Sequence, residues 1–425
     1  MIITIGTLVL LALMCLGIPI GFALGISGAI TLPMLVPWSS IFALMTSVMH
    51  ETTANSLMLT IPMFVLMAEF LACGRVAEDL LLSCNRMLRR VRGGLAMACI
   101  LAGTVHAAAT GSSAASAASL ARASFPAMMR AGYAPSFAVG TIAIAGTLAI
   151  LIPPSVAFVL FGVMTETSVG KLFMAGIIPG ILTAGGYLIT IWLTLKLKPE
   201  LGPDPTREAA AAATESKGRV WPMVLLILVI MFGLYGGVAT PTEISALGAL
   251  GALLISLGMG RMSWLDFTHA IGGTLRIATM IMTIVFGAHL LGYFISFSQF
   301  TDSLLAWIAE AGLSPTVVML SVVFIYLILG TFMDQGAIII LTAPITTALM
   351  VGLGYDPVWW GVIMIKTAEI GLVSPPLGLV TFVVSATTKT NLRSNFVGVL
   401  PFVGTEMFVL ALLIAFPSLS LMFTG

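Results

Sequence analysis

The chain has 425 residues, 59% hydrophobic and 8% charged, with a formal net charge of +1. A soluble domain carries about a quarter charged residues, so this composition excludes a water-covered surface and leaves lipid as the main solvent. The balanced charge gives no field for nucleic acid, and Cys15, Cys73, Cys84 and Cys99 lack the spacing of a metal site or disulfide framework.

A bilayer-crossing helix needs roughly 20 mostly apolar residues. That template predicts spans near 2–16, 19–36 and 56–73. The first has no basic leader or small-residue cleavage pattern, so it is expected to be a retained span rather than a signal peptide. Arg86 to Arg92 follows as a basic interfacial helix facing lipid headgroups. Residues 94–130 are too long for one span and lack a charged turn between two. They are interrupted at Thr110-Gly-Ser-Ser-Ala-Ala-Ser116, the pattern of a re-entrant hairpin. A span at 136–165 is broken by the double proline Pro153-Pro154, and another span covers 172–196. The hydrophilic stretch 199–219 is a linker. Spans near 220–237, 242–259 and 272–297 follow, then a second hairpin, 315–352, interrupted at Gly330-Thr-Phe-Met-Asp-Gln-Gly336. A second broken span, 357–388, carries Pro375-Pro376, and a last span covers 397–422.

With the N-terminus outside, every Lys and Arg except Lys171 and Lys366 falls on one face. The positive-inside rule makes that face cytoplasmic and both termini periplasmic. Counting either hairpin as a full span would reverse everything after it and destroy the bias.

Landmarks recur at one offset. Pro19 and Pro241, Gly132-Tyr133 and Gly354-Tyr355, and Pro153-Pro154 and Pro375-Pro376 are each 222 residues apart, and Gly111 and Gly330 are 219 apart. An odd number of crossings separates equivalent points. The fold class is therefore an all-α polytopic membrane protein with two inverted repeats, 1–198 and 220–425, each holding one re-entrant hairpin and one interrupted span. Inverted repeats with broken helices are a secondary-transporter architecture, with solute and coupling ions near the midplane.

Each interruption leaves helix-terminal C=O and N–H groups without partners. In hydrocarbon these persist only where they line a polar cavity or bind an ion. Carbonyls and hydroxyls suit a hard cation such as Na⁺, and helix N-termini suit an anion. The pattern predicts two cation sites, each between a hairpin tip and its paired break, with the solute between them. The competing reading of Gly111-Ser-Ser-Ala-Ala-Ser-Ala-Ala-Ser119 is close helix packing by small residues.

The motifs AATGSSAASAA, FPAMMRAGY, GTLAILIPPS, TETSVGKLFMAGIIPG, GTFMD and IGLVSPPLG, in that order through nearly the whole chain, resemble the large membrane subunit of TRAP (tripartite ATP-independent periplasmic) transporters. The resemblance implies an elevator-type fold like that of the ion transporter superfamily, driven by a Na⁺ gradient and carrying a small carboxylate across the bacterial inner membrane. It also implies two partners, a small four-helix membrane (Q) subunit as a separate chain and a periplasmic solute-binding (P) protein. Carried over by motif, the first Na⁺ site involves Gly111, Ser112, Ser113 and Ser116, with Gly146 and Pro153 opposite. The second involves Gly330, Thr331 and Asp334, with Gly371 and Ser374 opposite. The solute would lie among Ser112, Ser113, Pro154, Ser155, Thr331, Ser374 and Pro375.

A charge within a span needs a reason. Asp334 is expected to coordinate an ion, and Glu369 to pair with Lys366 three residues earlier. Glu69 is expected to be structural and His106 to be a satisfied hydrogen-bonding group. Arg276 is expected to snorkel from a cytoplasmic helix end, and Trp221, Trp264, Trp359 and Trp360 to be interfacial anchors. Two alternatives are a stand-alone divalent-anion:Na⁺ carrier, whose hairpin tips typically read Ser-Asn-Thr, and an intramembrane hydrolase using Ser112 or Ser113 with His106 or His289. The chain has no phosphate-binding loop of the G-x-x-x-x-G-K-[ST] kind.

Overall fold

A computed structural model describes residues 2–88, 90–203 and 218–424. Most of the linker, with Arg207 and Lys217, and Arg89 of the basic segment lie outside the described residues. Among those described the chain is helical, with no strand. In order, α1 (Ile2–Cys15), α2 (Ile20–Thr31), α3 (Trp38–Ala54), α4 (Leu57–Cys73), α5 (Val76–Leu88), α6 (Gly94–Thr110), α7 (Ser113–Ala131), α8 (Pro135–Leu151), α9 (Val156–Thr165) and α10 (Val169–Leu197) precede the linker. After it come α11 (Trp221–Tyr235), α12 (Pro241–Gly258), α13 (Trp264–Phe297), α14 (Phe300–Glu310), α15 (Pro315–Phe332), α16 (Gln335–Gly352), α17 (Pro357–Val373), α18 (Leu379–Thr388), α19 (Leu392–Ala415) and α20 (Ser418–Leu421). Among the described residues, seven helical segments are long and apolar enough to cross a membrane.

Burial sorts these helices into an inner and an outer group. α8 is buried continuously over Phe137–Leu151, and α17 over Val358–Val373. A helix that is apolar all round belongs in the interior, and these two are the axis of the molecule. α6 and α7 pack on α8, α15 and α16 pack on α17, and α19 packs on both axial helices. Both interrupted segments are pairs of helices joined by a short turn, and each leg of the second pair is among the seven segments long enough to cross a membrane. Cys99 Sγ on α6 lies 3.5 Å from Ser124 Oγ on α7. Tyr326 on α15 bonds Thr342 and Thr346 on α16 at 2.8 and 2.7 Å. Contacts placed symmetrically about each turn are those of antiparallel legs.

The outer helices meet through small residues. α2 lies against α13 so closely that a Cβ on Gly21 would sit 2.9 Å from the Ile284 backbone nitrogen, and one on Gly28 equally close to Leu291. Such approach replaces the hydrophobic drive that lipid cannot provide. α4 meets α12 through a Thr60–Thr242 hydrogen bond of 2.9 Å and through Ser256, which donates to the Phe70 carbonyl at 2.6 Å.

Beyond α12, Arg261 reaches back to the α4–α5 turn. It donates to Asp79 at 2.7 and 3.3 Å and to the Gly74 carbonyl at 2.9 Å. Asp79 is 6% exposed, so losing the guanidinium strands a buried carboxylate. Arg261→Ala is expected to cost about 2 kcal/mol and to lower the thermal midpoint of the solubilised protein. An unchanged midpoint would show that the clamp contributes nothing.

Five expectations are corrected. α3 forms where no span was expected. The polar run His50 to Asn55 disguises it, yet the helix continues to Asn55, whose extended backbone ends it and whose side chain accepts from Leu57 N at 2.9 Å. α3 and α4 are bent by 47°. α14 was also unforeseen. α13 begins at Trp264, not near 272, because Ser263 and Asp266 form a reciprocal capping box. Arg276 therefore lies well inside a 34-residue helix with its side chain exposed, not at a helix end. Trp221 and Trp264 are exposed as interfacial anchors would be, but Trp359 and Trp360 are 2% and 0% exposed. Their indole N–H groups donate to the Leu413 carbonyl and to Thr346.

Candidate functional site

The first tip is a two-residue turn. Gly111 ends α6 with φ +57°, a left-handed conformation natural to glycine. Ser112 then turns extended and precedes α7 without a side-chain capping bond. The tip meets its break directly, since a Cβ on Gly111 would lie 3.1 Å from the backbone nitrogen of Val156, the first residue of α9. Farther down, a Cβ on Gly146 would meet Ala117 at 2.4 Å. Ser112 is exposed, Ser113 and Ser116 are buried, and the Ser116 hydroxyl has no partner among the described residues. At the break, Pro153, Pro154 and Ser155 are all buried, and Ser155 donates to the freed Ile150 carbonyl.

The second pair repeats this plan in a more open setting. α15 ends at Phe332, Met333 is extended, and Asp334 caps α16 by accepting from Gly336 N at 3.0 Å. Gly330 and Gly371 cross backbone to backbone, a Cβ on Gly371 falling 2.4 Å from Gly330 Cα. Thr331 donates to the Ile328 carbonyl and Ser374 to that of Ile370, at 2.8 and 2.7 Å. A hydroxyl whose hydrogen is committed presents only lone pairs outward, which suits a cation. Here Asp334, Pro375 and Pro376 are exposed, and Thr331 and Ser374 half-buried.

The two sites are joined crosswise. α7, from the first hairpin, packs on α18, and α16, from the second, packs on α9. The residues carried over by motif thus lie at or within about two turns of two tips and two breaks whose helices pack on one another, with Ser112, Asp334 and Pro375 exposed.

The Lys366–Glu369 pair is present at 3.1 Å, fully buried. A third ionisable group in contact with Lys366, Glu406 of α19, escaped the sequence reading. Glu69 lies half-buried on α4, near Gly273 of α13. His106 differs from expectation, being 0% exposed with neither ring nitrogen partnered among the described residues. It makes no bond to Ser112 or Ser113, and His289 pairs with Thr52 instead. A serine nucleophile would need such a base within reach.

The fold is shared with two solved membrane proteins. It aligns with the Alcanivorax borkumensis YdaH transporter at TM-score 0.63 and 16% identity, covering 90% of each chain. It aligns with Neisseria gonorrhoeae MtrF, described among antimetabolite efflux pumps, at TM-score 0.56 and 15% identity, covering 90% of this chain and 85% of that one. The sequence places it further. Residues 7–419 match the family described as the tripartite ATP-independent periplasmic transporter, DctM component, and the chain belongs to that family. A C4-dicarboxylate TRAP transporter large permease protein of Pseudomonas aeruginosa is 36% identical over 402 residues, 94% of this chain and 93% of the relative. The 2,3-diketo-L-gulonate large permease protein of Escherichia coli is 29% identical, covering 96% of each. An isethionate permease protein of Oleidesulfovibrio alaskensis, named DctMQ, is 30% identical, and the match covers 96% of this chain and 64% of that longer relative. The chain is a multi-pass permease subunit and not an enzyme.

Proposed function

We propose that this subunit carries a small organic anion, a C4-dicarboxylate or related acid, into the cell in symport with Na⁺. Two inverted repeats would hold one cation site each, at the tip–break pairs, with the solute between them. The observation that carries this reading is the recurrence of helix starts. Gly94, Ser113, Pro135, Val156 and Val169 are answered by Pro315, Gln335, Pro357, Leu379 and Leu392, at offsets of 221 to 223 residues. The unpartnered, buried Ser116 hydroxyl and the outward lone pairs of Thr331 and Ser374 supply oxygen donors of the kind Na⁺ takes. Ser112 stands at the N-terminus of α7, where backbone N–H groups favour an anion, whereas the N-terminus of α16 is already capped by the Asp334 carboxylate.

The inner helices with both hairpins would move as one body against the outer helices, as an elevator. Both termini face the periplasm, in keeping with the cation distribution. A small membrane subunit and a periplasmic solute-binding protein complete the transporter.

Uptake of labelled C4-dicarboxylate into proteoliposomes tests the reading. Uptake is expected only when all three proteins and an inward Na⁺ gradient are present. Uptake by this chain alone would instead make it a stand-alone carrier, and uptake indifferent to Na⁺ would remove the two cation sites.

A further inference from the structure

Lys366, Glu369 and Glu406 are each 0% exposed and converge where α17 meets α10 and α19. Lys366 Nζ donates to Glu369 at 3.1 Å and to Thr183 Oγ1 at 3.0 Å, and it contacts Glu406. Glu369 thus has one oxygen bonded to the ammonium and its other, Oε1, without a partner among the described residues, since Thr147 on α8 donates to the Ile144 carbonyl at 2.9 Å. Neither oxygen of Glu406 takes part in a well-directed hydrogen bond. With all three groups ionised, one negative charge would stand unmatched in the interior, the arrangement that burial penalises most.

No neighbouring side chain supplies the missing positive charge. Of the helices packed on α19, neither α8 nor α18 carries a titratable side chain, and α17 offers only Lys366 and Glu369. α10 brings Tyr187, set edge-on against Phe402 one turn from Glu406, while Lys171 and Lys196 sit at its two ends. A metal ion fits poorly. Thr183, Lys366 and Glu406 lie well inside helices, and the carbonyls that Pro179 and Pro401 leave free, of Ala175 and Val397, are about two turns away from Thr183 and Glu406, whereas ions in such proteins take carbonyls from unwound backbone. The ammonium already between the two carboxylates would also repel a second cation.

We propose that Glu406 carries a proton, standing as a neutral carboxylic acid beside an ionised Lys366–Glu369 pair. The junction of α8, α10, α17 and α19 is then a proton-binding site in the membrane interior, separate from the tips and breaks. The folded protein holds one proton that the unfolded chain, with Glu406 in water, gives up above the ordinary carboxylate range. The folded state therefore binds more protons, and stability falls as pH rises through that region.

The test compares the purified protein with Glu406→Gln, a neutral replacement of the same shape, and with Glu69→Gln as a control for the half-buried carboxyl on α4. A carboxylic-acid C=O stretch is expected in the infrared spectrum at neutral pH. It should persist in Glu69→Gln and vanish in Glu406→Gln. Glu406→Gln should also fold, with a thermal midpoint at or above that of the unsubstituted protein and a flatter decline toward alkaline pH. A band absent from the unsubstituted protein, or surviving in Glu406→Gln, would overturn the assignment. So would failure of Glu406→Gln to fold, which would mean the charge is required. A rise in midpoint with Na⁺ that Glu406→Gln abolishes would replace the proton by a metal ion.

Discussion

Alanine in place of Gly371 is expected to lower solute uptake at least tenfold while the protein still reaches the membrane. Its methyl would sit 2.4 Å from the backbone of Gly330. A flexible side chain could swing away, but here the obstacle is main chain on both sides. Overpacking of this kind costs about 1–3 kcal/mol, and relief requires α15 to part from α17. That separation pulls the second tip from its break and spreads Thr331 from Ser374. The comparison is Gly404→Ala on α19, where an added Cβ has nothing within 4 Å. Uptake in proteoliposomes, scaled to the amount of each protein, decides the matter. Equal rates for the two variants would mean that the glycine crossing has no part in the site.

The second large effect is expected at Lys366. Lys366→Met removes the positive member of a wholly buried cluster, and breaking such a pair costs about 3–5 kcal/mol. The variant should accumulate poorly and melt well below the unsubstituted protein. A rescue separates charge from packing. With Glu406 already neutral, the double variant Lys366→Met/Glu369→Gln contains no ion at the junction and should recover most of the lost stability. If the double variant is no better than the single one, then Glu406 is ionised or Lys366 acts by filling space.

The breaks were the most legible part of the sequence. Gly and Pro report backbone conformation directly, so Gly111, Pro153-Pro154, Gly330 and Pro375-Pro376 located both tips and both interruptions. Elements whose signal is polar fared worse. α3 hid behind His50 to Asn55, although the capping box at Ser263 and Asp266 could have set the start of α13 correctly. Trp359 and Trp360 misled because an indole at a helix end looks the same in sequence whether it faces headgroups or the core. Within the site, Lys366 and Glu369 were found because three residues separate them on one helix. Glu406 was not, because its partner is 40 positions away and only tertiary packing joins them. The commitment of the Thr331, Ser155 and Ser374 hydroxyls to helix carbonyls was equally beyond the reach of sequence.

The two proline breaks share one plan yet differ in burial. Pro153 to Ser155 is sealed, while Pro375 and Pro376 lie open. In the proposed cycle the opposite arrangement would break contacts on one side and form the same kinds on the other. Its free energy should therefore lie close to that of the present one. A body with two nearly isoenergetic poses is bistable, and a differential affinity of a few kcal/mol for ion or solute is enough to choose between them. Duplication, on this view, does more than supply two sites: it balances the switch.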